Sequence, residues 1–219
     1  MPLMIVAGVL AQVLAVGLSL GRASGWKAAL LAGLPVLALA WLAEWLGSRT
    51  GFPFGRYSYT EALQPQLGGV PILVPFAWLM MLPPAWAIAD CIVRPGQAHM
   101  LTSGLRLARA IVAGLAFAAW DLFIDPQMVK WGIWHWASQG AYFGIPWTNY
   151  AGWFLVAALI SLFLAPERLP VTPLVFIYAL TWFLTGFGQL FFWKLPGPAI
   201  YGFLGMGTFL LSTYLRRRT

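Results

Sequence analysis

Long apolar runs separated by polar connections dominate the chain. A transmembrane helix needs roughly 20 predominantly apolar residues, and the stretches that meet this requirement are bounded by charge, proline or glycine. The predicted spans are residues 3–20, 27–47, 70–93, 106–125, 149–165, 171–193 and 197–215. The pattern predicts an all-α fold, a polytopic transmembrane helix bundle of about seven spans, with one integral membrane domain over residues 1–219.

Composition favours the membrane over a soluble fold. Of the 219 residues, 61% are hydrophobic and 9% are charged, which lies outside the usual range of soluble domains. The net charge is +7, but the basic residues are scattered at segment ends, so nucleic-acid binding is not expected. Cys91 is interpreted as a small buried hydrophobe. Asp90 is expected to pair with a nearby arginine such as Arg94.

The basic residues predict the orientation of the bundle. No Lys or Arg precedes the first span, whereas Arg22 and Lys27 follow it, so the N-terminus is expected outside and the C-terminus in the cytoplasm. We expect an integral protein of a bacterial or archaeal cytoplasmic membrane. In this topology nine basic residues are cytoplasmic and four are outside, in agreement with the positive-inside rule. The nine are Arg22, Lys27, Arg94, Arg106, Arg109, Arg168, Arg216, Arg217 and Arg218, and the four are Arg49, Arg56, Lys130 and Lys194.

Three of the six acidic residues fall near the outer ends of predicted spans. Glu44 lies in the second span, and Asp121 and Asp125 lie in the fourth, in "WDLFIDPQMV" (120–129). Because four residues make about one helical turn, the two aspartates share a helix face and should point into the bundle together. A carboxylate inside a membrane costs on the order of 2.5 to 3.5 kcal/mol, so it is expected to face a cavity or a partner. A simpler interpretation makes Asp125 a helix end before Pro126.

Two long outer connections add aromatic and polar residues. The first, "GSRTGFPFGRYSYTEALQPQLGG" (47–69), is rich in glycine and aromatic residues and suggests a lid. The second is "KWGIWHWASQGAYFGIPWTNYAGW" (130–153), and six of the chain's 13 tryptophans lie between residues 120 and 153. For residues 127–148 a surface helix and a re-entrant loop both stay open. Aromatic residues at such a boundary can also form a simple interfacial belt.

The carboxyl groups and aromatic rings suggest acid catalysis on an alkene. Two neighbouring carboxyl groups in an apolar pocket cannot both be comfortably ionised, so one is expected to carry a proton near neutral pH. That proton could be given to an electron-rich alkene, because indole and phenol faces can stabilise the resulting carbocation. Water could then add, guided by a second carboxylate. Such a site requires neither a metal nor a redox cofactor, and the sequence contains no phosphate loop, HExxH pair or cysteine cluster.

Four blocks of the sequence form a recognisable set: "AEWLGSRTGFPFGRYSYT" (43–60), "GGVPILVPFAWLMM" (68–81), "WDLFIDPQMVKWGIWHW" (120–136) and "GAYFGIPWTNYAGWF" (140–154). Together they resemble the membrane-integral carotenoid biosynthesis family. Its characterised members are carotenoid 1′,2′-hydratases, of the bisanhydrobacterioruberin hydratase and γ-carotene 1′-hydroxylase types. The resemblance implies hydration of the terminal double bond of an acyclic end group on a long polyene, which gives a tertiary alcohol without a redox cofactor.

The resulting hypothesis assigns roles to individual residues. Asp121 or Asp125 would be the proton donor, and the other aspartate or Glu44 would orient water. No metal or cofactor is expected, and the partners are a long acyclic carotenoid from the bilayer and membrane lipid. The residues expected to bind substrate are Arg49, Arg56, Tyr57, Tyr59, Trp78, Trp120, Trp134, Trp136 and Asn149.

Three other functions stay open on the residues alone. The D-x-x-x-D pattern also occurs in membrane prenyltransferases, where paired aspartates bind magnesium and a diphosphate, although this chain has no second Asp-rich run. Lycopene cyclisation begins with the same protonation but excludes water from the cation. Seven spans with intramembrane acids also suggest a proton-coupled transporter or a retinal protein, although no internal repeat and no mid-helix lysine in the last two spans is visible.

Overall fold

The computed structural model describes residues 2–93 and 102–217, most of which are helical. Six of the helices in these ranges, α1 to α6, are long and apolar enough to cross a bilayer. The prediction of an all-α polytopic bundle is therefore confirmed. The helices are α1 (Pro2–Ser24), α2 (Trp26–Thr50), α3 (Leu73–Val93), α4 (Ser103–Lys130), α5 (Trp147–Leu164), α6 (Val171–Phe191) and α7 (Pro196–Arg216).

The two long connections meet on one face of the bundle, which we call the loop face. Strand β1 (Tyr57–Tyr59) pairs antiparallel with β4 (Trp134–Trp136), and Ser58 lies opposite His135. A smaller pair, β2 (Gln66–Leu67) and β3 (Val70–Pro71), completes the first connection. The side chains of β1 and β4 that point toward the bundle are aromatic, so this sheet carries rings to the ends of the helices.

Helix α4 continues one turn further than predicted, through Pro126 to Lys130. Proline inside a helix leaves the carbonyl four residues earlier without its N–H donor. Here the Tyr142 hydroxyl donates to the Leu122 carbonyl at 3.0 Å, which replaces the missing bond. The predicted fourth span, 106–125, therefore stops five residues short of the end of this helix, and residues 127–148 contain the end of α4, strand β4, turns and the first two residues of α5.

Helices α4 and α5 approach closely because glycine lies at their contact. A Cβ atom built on Gly114 would lie 2.8 Å from the Phe154 carbonyl oxygen and 2.9 Å from the Ala158 Cβ. Only a residue without a side chain allows this spacing. The close contact fixes the depth of the acidic end of α4 against the first turn of α5.

The opposite face carries the remaining buried charges. Asp90 Oδ1 lies 2.6 Å from Arg109 Nε, and Arg109 also donates to the Pro166 carbonyl at 2.7 Å. The expected pairing of Asp90 with an arginine is met by Arg109, while Arg94 lies outside the described residues. These bonds join α3, α4 and the segment that follows α5, at the end of the bundle away from the loop face.

Candidate active site

Glu44 lies near the loop-face end of α2 and is only 3% exposed. Its Oε2 accepts hydrogen bonds from the hydroxyls of Tyr57 at 2.5 Å and Tyr59 at 2.8 Å. Its Oε1 accepts one from the Trp78 indole N–H at 3.0 Å. An ionised carboxyl group has about four acceptor positions, so three donors hold this side chain in place and leave capacity for another.

The two aspartates of α4 are joined through Asn149 on α5. The Asn149 side-chain amide donates to Asp121 Oδ2 at 2.7 Å and also to Asp125 Oδ2. The shared amide thus holds the two carboxyl groups side by side, and two neighbouring buried carboxyl groups cannot both be comfortably ionised. The Trp134 indole N–H donates to Asp125 Oδ1 at 3.0 Å. The expected carboxyl pair is thus a connected network that spans two helices and strand β4.

A cavity of about 260 Å³ lies against these acids. Asp125 and Glu44 both line it, whereas Asp121 is fully buried and does not line it. The rest of the lining is predominantly apolar, with residues from α1, α3 and α4 and aromatic rings from the loop face. The geometry therefore gives the two aspartates different positions, with Asp125 at the cavity and Asp121 away from it.

Aromatic rings form the wall of the cavity and pack behind it. Tyr57 lies 5.1 Å from Trp136 between ring centroids, and Tyr59 lies 5.8 Å from Trp134, so β1 and β4 carry a continuous wall. Deeper in the bundle the rings of Trp78, Phe117, Trp120 and Trp153 pack with centroid separations of 4.7 to 6.0 Å. Such rings present electron-rich faces to a ligand.

Three buried polar groups in this region make no hydrogen bond within the described part of the chain. The indole nitrogens of Trp120 and Trp136 and the Tyr150 hydroxyl are buried and make no hydrogen bond to other described residues. Trp120 and Trp136 both line the cavity. An indole N–H is a donor only, and because both nitrogens are buried, it is the rings and not the N–H groups that face the cavity.

The Tyr57 and Tyr59 hydroxyls, which donate to Glu44, keep their protons. Burial first, and then the Glu44 carboxyl group, raise the pKa of both Tyr57 and Tyr59. Burial, followed by Asp121, likewise raises the pKa of Tyr142 on the loop face. Because an ordinary phenol already keeps its proton at neutral pH, these groups act as fixed hydrogen-bond donors.

The structure brings most of the predicted site residues together. Arg49 and Arg56 are the exceptions, since both are exposed and neither lines the cavity. Arg49 lies over the Trp45 ring, 4.7 Å from its centroid. Trp78 does not line the cavity either, but it holds Glu44. The predicted residues that line the cavity are Glu44, Tyr57, Tyr59, Trp120, Asp125, Trp134, Trp136 and Asn149.

Sequence reasoning missed the part of the wall that α1 provides. The first turns of this helix have the composition of an ordinary lipid-facing span, and no polar residue marks them. Gln127 was also missed, because residues 127–148 were interpreted as a surface helix or a re-entrant loop and not as the last turn of α4. It accepts a hydrogen bond from Gln189 Nε2 at 2.9 Å. The further lining residues include Met4, Ile5, Gly8, Val9, Gln127, Trp131, Trp153 and Trp193.

Fold and site together define a polytopic helical membrane protein with a carboxyl-lined apolar cavity. Within the described ranges, no group of three or more His, Cys, Asp or Glu side chains is arranged to hold a metal ion. The chain belongs to the carotenoid biosynthesis protein family, whose profile matches residues 2–208. The resemblance carried by the four sequence blocks is thereby confirmed.

A named relative shares part of this sequence. The chain is 32% identical to bisanhydrobacterioruberin hydratase from Haloarcula japonica over 139 residues, which cover 60% of this chain and 44% of that protein. The match thus spans less than half the length of the relative. No solved structure matches the chain.

Proposed function

We propose that this protein hydrates the terminal 1′,2′ double bond of an acyclic carotenoid end group. Membership of the carotenoid biosynthesis family supports the substrate class, and similarity to a protein named as a hydratase supports the reaction type. The single observation that carries the proposal is the position of Asp125. Asp125 lines an aromatic-walled cavity and accepts a hydrogen bond from the Asn149 amide, which also donates to Asp121 behind it.

Asp125 is the proposed proton donor. Its O–H bond breaks as a C–H bond forms at the 2′ carbon of the alkene, which leaves a tertiary cation at the 1′ carbon. The Asn149 amide and the Trp134 indole N–H then stabilise the new carboxylate, because both already donate to Asp125. Asp121 positions this group rather than touching substrate. General acid catalysis of this kind typically contributes about 10² to 10⁴ in rate.

The aromatic wall stabilises the cation before water arrives. Cation–π attraction contributes up to about 2 kcal/mol at a desolvated ring face. Tyr57, Tyr59, Trp134 and Trp136 supply such rings at the cavity wall. An enzyme that lowers the energy of a charged intermediate in this way must also keep other nucleophiles out, which suits the apolar lining.

Glu44 is the proposed acceptor for the proton of water. A water oxygen bonds to the tertiary carbon, and the proton it releases passes to the Glu44 carboxylate. Return of that proton to Asp125 completes the cycle, so alkene and water give one tertiary alcohol with no change in oxidation state overall. Tyr57, Tyr59 and Trp78 hold Glu44 in a fixed orientation for this step.

Expression in a host that accumulates an acyclic carotenoid tests the proposal. The expected product has the mass of the pigment plus one water, or two if both ends react. Asp125→Asn and Glu44→Gln should each reduce product at least about 100-fold, while the protein stays inserted in the membrane. Glu167→Gln is the matched control, because Glu167 is half-exposed on the opposite face.

Two results would refute hydration. Unchanged pigment despite confirmed membrane insertion would remove the proposed activity. A product of unchanged mass with rings at its ends would indicate cyclisation, which starts with the same protonation. Full activity in both carboxamide variants would leave hydration in place but overturn the assignment of Asp125 and Glu44.

A further inference from the structure

The cavity reaches the outside of the bundle along the first turns of α1. Met4 and Gly8 line it, and Met4 is 75% exposed. The neighbouring Leu3 is 83% exposed, as expected of a side chain that faces lipid. This wall therefore belongs to a peripheral helix, in contrast to the deep wall formed by the almost fully buried Asn149 and Trp120.

Side-chain contacts lie at both ends of this opening. On the side away from the loop face, Gln12 joins α1 to two other helices. Its side-chain amide donates to the Met80 carbonyl at 3.2 Å, and its oxygen accepts from the Thr181 hydroxyl at 3.2 Å. On the loop-face side, Trp131 and Trp193 both line the cavity and pack edge to face, 5.4 Å apart.

Gly8 keeps the opening wide. It is exposed and lines the cavity, and a Cβ atom built on it would meet nothing within 4 Å. Gln12 lies one helical turn further along the same helix, so Gly8 sits directly before the contact that ties α1 to α3 and α6. A larger side chain at residue 8 would occupy open space rather than displace a neighbouring helix.

We propose that this opening is a lateral portal through which the polyene tail of the substrate extends into the lipid, with Gly8 setting its width. The inference rests on the proposed function and adds the route of the substrate. A cavity of about 260 Å³ is smaller than the roughly 300 to 1,000 Å³ typical of ligand pockets, so it holds one end of a long polyene. The tail must then leave the cavity, and hydrocarbon solvates it far better than water does.

A size series at Gly8 tests the portal. Gly8→Ala should behave as the wild type, and Gly8→Leu and Gly8→Trp should raise KM for a long acyclic carotenoid by about tenfold or more, as expected for steric exclusion from a pocket. A short acyclic isoprenoid with the same terminal double bond fits inside the cavity, so its turnover should stay within about twofold of wild type in Gly8→Leu. Replacement of glycine within a helix should not destabilise it.

Gly17→Leu provides the matched control. Gly17 is also in α1 and a Cβ atom there also meets nothing within 4 Å, but it does not line this cavity. This variant should process both substrates as the wild type does. A second readout is the ratio of bound carotenoid to protein after purification, measured by absorbance, which should fall in Gly8→Trp and stay unchanged in Gly17→Leu.

The outcomes separate the portal from the proposed reaction. Wild-type activity and pigment binding in Gly8→Trp would overturn the portal and leave hydration intact. Equal losses on the long and short substrates would also overturn it, because they indicate general damage to the site. If the wild type hydrates neither substrate, hydration fails, and the pigment-to-protein ratio still decides whether carotenoid enters beside Gly8.

Discussion

Asn149 determines whether two carboxyl groups can lie side by side inside the bundle. Its amide donates to both Asp121 and Asp125, which lie one turn apart on the facing helix. A buried acceptor that loses its donor costs about 1 to 3 kcal/mol. The side chain therefore supports both the stability of α4 against α5 and the orientation of the proposed acid.

Replacement of Asn149 by leucine should cost both stability and activity. Leucine branches at the same carbon as asparagine but is bulkier and has no donor, so we expect the free energy of unfolding to fall by about 1 to 3 kcal/mol and hydration to fall more than tenfold. Thermal unfolding in detergent and product analysis measure the two effects. Thr148→Val changes an exposed neighbouring residue and removes only the long 3.4 Å hydrogen bond from its hydroxyl to the Phe54 carbonyl, so it should lower both quantities much less. An unchanged melting temperature in Asn149→Leu would show that the network contributes little to stability.

The sequence predicted which acidic residues belong to the site better than it predicted their contacts. Carboxyl groups in an apolar span are costly, so the amino-acid pattern alone singles out Glu44, Asp121 and Asp125. Their contacts could not be predicted in the same way, because which aspartate faces the cavity depends on the rotation of α4 against α5. Arg49 and Arg56 were expected at the site because they belong to the first long connection, but neither of them lines the cavity.

Among the secondary-structure elements, α4 and α5 hold the carboxyl network of the site at their contact. Gly114 permits the close approach, about two helical turns from Asp121. Any side chain at this position must push the two helices apart or distort the backbone near Phe154. A change here therefore reaches the carboxyl network without touching it.

Gly114→Leu should separate α4 from α5. We expect a loss of about 1 to 3 kcal/mol from overpacking, a lower melting temperature and loss of hydration. Gly104→Leu is the matched control in the same helix, because a Cβ atom on Gly104 meets nothing within 4 Å. Normal activity and stability in Gly114→Leu would contradict the close packing described for these helices.

Element boundaries were predictable where local patterns decide them. The apolar runs gave the helices to within a few residues, because each run must satisfy its own backbone inside the membrane. The extension of α4 through Pro126 could not be predicted locally, since the hydroxyl that satisfies the Leu122 carbonyl comes from Tyr142. The pairing of β1 with β4 was equally hidden, because it joins segments that are 75 residues or more apart in the chain.

At the scale of the whole molecule, both aromatic connections lie at one end of the bundle, together with Glu44, Asp121 and Asp125. The orientation predicted from charge places this end outside the cytoplasm. The bonds around Asp90 and Arg109 lie at the other end. A single labelling experiment can therefore test the orientation of the site.

Cysteine labelling should place the loop face outside. Ser58→Cys lies exposed in β1 and should react with a membrane-impermeant maleimide in intact cells. Ser103→Cys, exposed at the start of α4, should react only after the cells are permeabilised. The native Cys91 is buried and provides the background in the unmodified protein. The reverse pattern of labelling would show that the orientation predicted from charge is inverted.

The opening beside α1 also determines the order in which the two reactive ends of one carotenoid molecule can be converted. A cavity that admits one end while the remainder lies in lipid cannot hold both ends together. After the first reaction the whole molecule must dissociate, turn end for end and bind again before the second can occur. Under the proposed function the protein is then a distributive catalyst, and the half-converted pigment becomes a free intermediate for which other membrane enzymes compete.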